Sequence, residues 1–116
     1  MKNTPIKLLD NLEIKATNET LNAYIKTQDN YIPIGVNMIN APLMWNKGYT
    51  GDGVKVAILD SGCVQHPDLI SNIIGGKNFT AEGSETDYND LNGHGTHVAG
   101  IIAGNGKVMG VAPNAK

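Results

Sequence analysis

Residues 54–59, Val54-Lys55-Val56-Ala57-Ile58-Leu59, form a nearly continuous apolar run that is rich in β-branched residues. A strand with one face in water alternates apolar and polar side chains, whereas this run has a single polar residue. The pattern is typical of a parallel strand that is buried on both faces, and Gly51-Asp52-Gly53 supplies the turn that leads into it. Such a strand needs helices on its faces, so the run predicts an α/β fold.

A short helix is predicted between Asn40 and Gly48. Asn40 is a suitable N-cap, Pro42 falls in the first turn, where its missing N–H costs nothing, and Gly48 follows the last turn. Because Trp45 lies within this segment, we expect the helix to dock onto a larger body.

Two further elements are predicted downstream. Ile73-Ile74-Gly75-Gly76-Lys77-Asn78-Phe79 is a second, weaker strand candidate, and residues 94–104 are predicted to form a helix despite their glycines. Each glycine inside a helix costs about 1 kcal/mol, so Gly95, Gly100 and Gly104 indicate a close approach of neighbouring backbone. Residues 81–92 contain four acidic residues and no basic one. This composition fits a solvated loop better than a loop that binds a metal or a substrate.

The composition argues against several classes of function. All nine cations are lysines and they form no run, so we expect no binding to nucleic acid or to an anionic membrane surface. The N-terminus lacks the apolar core of a signal peptide, and no apolar stretch approaches about 18 residues. The single cysteine cannot form an internal disulfide. We therefore expect a cytoplasmic protein.

The side chains that suggest chemistry are Asp60 and His94. Asp60 directly follows the buried strand, at the edge of an α/β sheet where ligands bind. His94 lies in the first turn of the glycine-rich helix, where the helix dipole disfavours a positive charge on the ring. A carboxylate within hydrogen-bond distance would instead orient the ring and stabilise the imidazolium. Either residue alone has an ordinary structural explanation, so the prediction depends on the pair.

Taken together, the motifs around this pair resemble those of the subtilisin-like serine proteases. Asp60-Ser61-Gly62 is similar to the aspartate signature of that family, and His94-Gly95-Thr96-His97-Val98-Ala99-Gly100 is similar to its histidine signature. The order, Asp before His, also matches. The supporting motifs are Gly51-Asp52-Gly53-Val54, His66-Pro67-Asp68-Leu69 and Gly110-Val111-Ala112-Pro113. The chain looks most similar to the intracellular subtilisins of Gram-positive bacteria, through Ala41-Pro42-Leu43-Met44-Trp45, Cys63 and Gly75-Gly76-Lys77-Asn78-Phe79.

The resemblance implies a role for each matching residue. Asp60 would orient and charge-balance the imidazole of His94, which would act first as general base and then as general acid. His97 would be structural, because zinc-binding helices place their two histidines four residues apart with a Glu between them. Asp68 matches a position that supplies a calcium ligand in many relatives, although the loop of residues 105–109 is shorter than is usual in the family.

The nucleophile of the family is missing from the 116 residues. The family places it in a Gly-Thr-Ser-Met-Ala turn further along the chain, and Ser61, Ser71 and Ser84 all lack that context. We therefore expect the chain to supply Asp and His but not Ser, and to be inactive alone. Cys63 lies near the pair and is either a buried, inert thiol or a reactive one.

The resemblance divides the chain into an N-terminal extension similar to a pro-region, residues 1–31, and the N-terminal portion of a subtilisin-like catalytic domain, residues 32–116. It implies an incomplete doubly wound parallel sheet, because the family's third strand, which lies between the first two, begins just after residue 116. We expect another chain, or an exchange of elements in a homodimer, to complete the sheet. A rearranged small fold is the third option.

Two functions are consistent with these residues. In the first, the chain is the N-terminal segment of an intracellular subtilisin-like serine endopeptidase, and its partners are the remainder of the protease and a peptide substrate. In the second, it is a standalone, non-catalytic regulator that binds a full-length intracellular subtilisin. The intact Asp60 and His94 favour the first, because a pure binding protein has no need of them. The glycine-free residues 1–31 motivate the second, because N-terminal extensions often occlude the active site in relatives. Calcium is the one cofactor that the resemblance suggests.

Overall fold

The computed structural model describes residues 30–116. That range contains three helices: α1, Ile34–Met38; α2, Ala41–Trp45; and α3, His94–Ala103. The rest consists of turns and extended segments, with one isolated parallel bridge between Tyr31 and Val108. The predicted N-terminal extension, residues 1–31, lies outside the described residues except for its last two.

Helices α1 and α2 are short and follow each other closely. Asn40 lies between them with φ 59°, in the left-handed region that Asn tolerates better than most residues. Asn40 is the N-cap residue of α2 and Pro42 lies at the helix start, as predicted, but the Asn40 side chain makes no capping hydrogen bond. Trp45 Nε1 donates to the carbonyl oxygen of Val111 at 2.8 Å. This bond docks α2 onto the segment after α3, as the sequence predicted.

The predicted strand at residues 54–59 is extended but is not a regular strand. Beyond the turn that precedes it, its backbone partner is Lys116, whose N–H donates to the Val54 carbonyl at 2.9 Å. The Lys116 carbonyl accepts from the Val56 N–H at 2.7 Å, which is the alternation of a parallel pair. Because a strand requires a longer ladder than this, the strand prediction is wrong for the described residues. Its side chains are also poorly buried, with Leu59 91% exposed.

The second predicted strand, residues 73–79, is wrong for the same physical reason. Phe79 is 84% exposed, and the backbone bond from the Asn78 N–H to the Glu85 carbonyl closes a loop rather than a ladder. An extended segment becomes a strand only against a neighbour, and the described residues contain no sheet that would receive it.

Helix α3 confirms the predicted helix at residues 94–104 to within one residue. It contributes Ala99 to a small apolar core that also holds Val36 and Leu69. Asn72, which is buried nearby, donates from Nδ2 to the carbonyls of Ala103 and Pro113, both at 2.8 Å. The amide therefore ties the end of α3 to the segment that follows it.

The glycines of α3 do not all serve the same purpose. A Cβ on Gly95 would collide with the carbonyl oxygen of Gly62, and one on Gly104 would lie 2.8 Å from the Val108 carbonyl oxygen. Both therefore mark close backbone approaches, as predicted. Gly100 has open space where its Cβ would be, so for the described residues the prediction at that position is wrong. None of the three helices in residues 30–116 is long and apolar enough to cross a lipid bilayer.

Candidate active site

The structure brings Asp60 and His94 together, although 34 positions separate them in the chain. His94 Nδ1 lies 2.8 Å from Oδ1 and 2.9 Å from Oδ2 of the Asp60 carboxylate. The Asp60 side chain is 18% exposed, whereas the His94 side chain is 66% exposed. Within residues 30–116 the other ring nitrogen, Nε2, has no hydrogen-bond partner. The carboxylate thus orients a ring whose outer nitrogen faces solvent.

The electrostatics of the pair favour a carboxylate facing an imidazolium. The hydrogen bond from His94, followed by that from the Ser61 N–H at 2.7 Å, lowers the pKa of Asp60. The hydrogen bond to Asp60 and its negative charge raise the pKa of His94. The sequence suggested two opposing effects on this ring, and the raised pKa of His94 has the direction expected from the carboxylate. A histidine of this kind can accept a proton and hold it briefly, as a general base must.

Glycines allow the two segments to approach. Gly62 has φ 119° and Gly93 has φ 94°, backbone conformations that residues other than glycine rarely adopt. Gly62 turns the chain away just after Asp60, and Gly93 turns the loop into the first residue of α3. Gly95, whose missing Cβ leaves room for the Gly62 carbonyl, lets the helix start lie against the Asp60 segment.

Asp90 also belongs to this arrangement, and the sequence reasoning missed it. The acidic residues 81–92 were predicted to form a solvated loop, yet Asp90 is 7% exposed. Its Oδ1 accepts from Ser61 Oγ at 2.9 Å, and its Oδ2 accepts from the Thr96 hydroxyl at 2.6 Å. These bonds and those from backbone N–H groups hold the pKa of Asp90 far below its usual range. A signal was present, because Asp just before a helix is a common acceptor for the first N–H groups.

Asp68, predicted as a calcium ligand, has backbone partners instead. Its Oδ1 accepts from the Lys107 N–H and its Oδ2 from the Val108 N–H, both at 3.0 Å. Its carbonyl oxygen accepts from the Asn105 N–H at 2.7 Å. Calcium needs six to eight oxygen ligands, and residues 30–116 contain no group of three acidic, His or Cys side chains placed for a metal. Backbone and amide oxygens can also bind calcium, so the calcium role of Asp68 stays a prediction.

Two other residues singled out by the sequence lie near the pair but outside it. His97 forms no hydrogen bond with Asp60, and it lines a separate shallow cavity of about 310 Å³ beside His66 and Leu69. Cys63 is partly buried, and that burial, followed by the charge of Asp90, raises the pKa of its thiol. A raised pKa leaves less of the reactive thiolate, which favours the inert interpretation of this cysteine.

Comparison with known proteins places these residues in a family. A model described as the subtilase family matches residues 51–116, which is more than half of the chain. The chain belongs to the subtilase family. The matched residues include both members of the Asp60–His94 pair, and the resemblance drawn from the sequence is thereby confirmed.

Individual relatives of this subtilase include two proteins that are named intracellular serine proteases. It is 55% identical to the major intracellular serine protease of Bacillus subtilis over 92 residues, which cover 74% of this chain and 29% of that protein. It is 58% identical to the intracellular serine protease of Paenibacillus polymyxa over 95 residues, 76% of this chain and 28% of that one. The M-protease of Shouchella clausii is 44% identical over 113 residues, 93% of this chain and 29% of that one.

The subtilase therefore spans less than a third of the length of these relatives. Membership of the family implies an α/β fold of the subtilisin type, which agrees with the fold class predicted from the sequence. The described residues hold helices and extended segments of such a fold without its sheet.

Proposed function

We propose that this subtilase is the N-terminal segment of an intracellular serine endopeptidase, supplying the Asp and His of an Asp-His-Ser triad. The observation that carries the proposal is the contact of His94 Nδ1 with both oxygens of Asp60, at 2.8 and 2.9 Å. It leaves Nε2 directed away from the carboxylate, as a general base requires. Names of relatives at 55% and 58% identity support an intracellular serine protease.

The chemistry assigns one task to each side chain. Nε2 of His94 takes the proton from the serine hydroxyl as that oxygen attacks the carbonyl carbon of the peptide bond. The same proton then passes from Nε2 to the departing amine nitrogen as the C–N bond breaks. Water attacks the acyl-enzyme in the second half of the cycle, giving its proton to Nε2, which returns it to the serine. Asp60 stays ionised throughout and stabilises the imidazolium.

The serine comes from outside these residues in this proposal. Ser61 is the serine nearest the pair, but its Oγ donates to Asp90 and accepts from the Gly95 N–H. Both bonds engage this hydroxyl elsewhere, and within residues 30–116 it forms no hydrogen bond with His94. The remainder of a subtilisin-like protease, or a second copy in an exchanged dimer, is the partner that we propose.

The unfinished ladder at residues 54–59 supports that partner. Lys116 pairs with Val54 and Val56 in parallel, and Ile58 and Leu59 beyond it remain exposed by 37% and 91%. An extended segment that continued the direction of Lys116 would bury these side chains and pair the backbone of residues 57–59. The incomplete doubly wound sheet predicted from the sequence would be completed in this way.

A chimera tests the proposal. These 116 residues replace the matching portion of the Bacillus subtilis relative, whose remaining portion supplies the serine motif. We expect the chimera to hydrolyse peptides and to lose activity after treatment with a serine-directed reagent. The 116-residue chain at the same concentration should show no turnover. A correctly folded chimera without serine-reagent-sensitive activity would contradict the proposal.

A second candidate function uses the same exposed edge. A standalone regulator could insert a strand or its N-terminal residues into a full-length intracellular subtilisin and block its assembly or its cleft. The exposed side chains of residues 54–59 favour binding to another chain of some kind. Micromolar chain added to an active intracellular subtilisin should then lower its rate, and an unchanged rate would rule this candidate out.

A further inference from the structure

Asp90 connects the two segments that carry the candidate catalytic pair. On one side, its Oδ1 accepts from Ser61 Oγ at 2.9 Å and from the N–H groups of Asn92 and Gly93 at 3.0 and 2.8 Å. On the other side, its Oδ2 accepts from Thr96 twice, from N–H at 2.9 Å and from the hydroxyl at 2.6 Å. Five donors therefore converge on one carboxylate that is 7% exposed.

We propose that Asp90 is a positioning residue for the Asp60–His94 pair, fixing the first turn of α3 against the segment that carries Asp60. It touches neither the substrate nor the ring, and it acts through Ser61 and Thr96. The kinetic part of this inference rests on the proposed function.

A closed ring of hydrogen bonds explains how the effect is transmitted. Ser61 Oγ donates to Asp90 and accepts from the Gly95 N–H at 2.9 Å, while the Thr96 N–H returns to Asp90. The Ser61 N–H also donates to Asp60 Oδ1 at 2.7 Å. Ser61 thus holds the carboxylate of Asp60 with its backbone and the start of α3 with its side chain.

Thr96 extends the connection to the residues after Asp60. Its hydroxyl donates to Asp90 and accepts from the Val64 N–H at 3.1 Å. The Ser61 side chain, just before Gly62, is therefore bound to Asp90, and the Val64 N–H, two residues after Gly62, is bound to Thr96, which itself donates to Asp90. Loss of either link frees the Asp60 segment to move relative to His94.

The exposure of His94 makes this positioning necessary. Its side chain is 66% exposed, so packing alone does not fix the ring. The ring position is set by the backbone of the first turn of α3 and by the bond to Asp60. A small shift of the helix start lengthens that bond, and misplacement of about 1 Å in an active site costs about 100-fold in rate.

The chemistry requires a carboxylate at this position. All five partners donate, and an ionised Asp is acceptor-only, whereas Asn presents two N–H donors beside its oxygen. Asp90→Asn keeps the size of the side chain, but its amide N–H₂ group then faces at least one of the groups that donate to Asp90, so two donors meet without an acceptor between them. The matched control is Asp87→Asn, in the same loop, where Asp87 is exposed and its carboxylate accepts only from the Asn89 N–H at 3.2 Å.

The test compares these variants in the protease chimera. We expect Asp90→Asn to lower kcat by about 100-fold with a smaller change in KM, and Asp87→Asn to leave both unchanged. Asp60 and Asp90 are the charged groups that act on His94. A loosened Asp60–His94 bond moves the acidic limb of the kcat/KM profile to lower pH, beyond the shift that loss of the Asp90 charge causes by itself. It also removes the low-field proton resonance of the His94 Nδ1–H.

Thr96 supplies a second pair of variants if Asp90→Asn does not fold. Thr96→Val removes the hydroxyl and keeps the shape, whereas Thr96→Ser keeps the hydroxyl. We expect the valine variant to lose kcat and the low-field resonance, and the serine variant to retain both.

The outcomes separate this inference from the proposed function. If the unmodified chimera lacks activity, the proposed function is contradicted, and the resonance of His94 still tests the positioning. If the unmodified chimera is active and Asp90→Asn or Thr96→Val lowers only the melting temperature, the positioning role is overturned. Unchanged kcat, acidic limb and resonance in those variants would show that Asp90 only stabilises the loop.

Discussion

Gly95 lies so close to Gly62 that a methyl group on Gly95 would collide with the Gly62 carbonyl oxygen. The first turn of α3 therefore rests directly on the backbone that follows Asp60. Because the obstacle is a carbonyl oxygen rather than a flexible side chain, the contact leaves little room for relaxation.

Substitution of Gly95 by Ala should therefore destabilise the chain and separate His94 from Asp60. Overpacking of this kind typically costs about 1–3 kcal/mol of the free energy of unfolding. The matched control is Gly100→Ala, one turn and a half further along the same helix, where the new Cβ meets open space. We expect that control to stabilise the chain by about 1 kcal/mol through helix propensity. Denaturant unfolding of the two variants measures both values, and equal effects would contradict the account.

Removal of the Asp60 charge should lower the pKa of His94. Asp60→Asn replaces the carboxylate that raises this pKa with a neutral amide, so the ring should titrate at lower pH. The control, Asp52→Asn, makes the same charge change in the turn before residues 54–59. An NMR titration of the His94 ring measures the shift, and an unchanged pKa in Asp60→Asn would contradict the pairing.

The same pair predicts how stability depends on pH. The raised pKa of His94 means that the folded chain favours its protonated form. That contribution to stability is complete below the ordinary pKa of histidine and is lost as pH rises through the raised value. The lowered pKa of Asp60 acts in the opposite sense, because its contribution is present above the ordinary pKa of aspartate and is lost as pH falls through the lowered value. The pair should therefore stabilise the folded chain most at pH values between the ordinary pKa of aspartate and that of histidine. The melting temperature measured against pH should show this dependence, and Asp60→Asn should weaken it.

Chelation of divalent metal should leave the stability of the chain unchanged. Asp68 holds the loop after α3 because its two carboxylate oxygens accept hydrogen bonds from the N–H groups of Lys107 and Val108. These bonds fix the loop without a metal ion. Asp68→Ala should cost about 1–2 kcal/mol because it removes the acceptor of both bonds. Melting temperatures with and without EDTA, and with added calcium, check this. A rise of several degrees on addition of calcium would contradict it.

The contact between Asp60 and His94 was easier to predict from the sequence than the sheet. Asp60 and His94 were predicted because each stands at a recognisable position, one after an apolar run and one at a helix start. The close backbone approaches at Gly95 and Gly104 were predicted from the cost of glycine in a helix. This cost is a local property and does not depend on the rest of the fold. Trp45 was predicted to dock its helix because an aromatic residue needs a partner surface, and Val111 supplies it.

The strands could not be predicted in the same way because strand formation is not local. Residues 54–59 have the composition of a buried strand, but pairing requires a neighbour, and within residues 30–116 Lys116 alone pairs with them in parallel. Asp90 was missed for a related reason. Its role depends on Ser61 and Thr96, which lie 29 residues before it and six after it. Its place just before a helix was the one local signal, and that signal does not show which of the four acids in the loop is buried.

The central claim, that His94 is the proton-transferring group of a serine protease, is tested most directly by the kcat of the chimera after His94→Ala. His97→Ala is the matched control, because it removes a histidine from the same helix that forms no bond with Asp60. In subtilisin itself, loss of the catalytic histidine lowers kcat by about a million-fold. We predict a loss of that order for His94→Ala and little change for His97→Ala. Similar activities in the two variants would contradict the account.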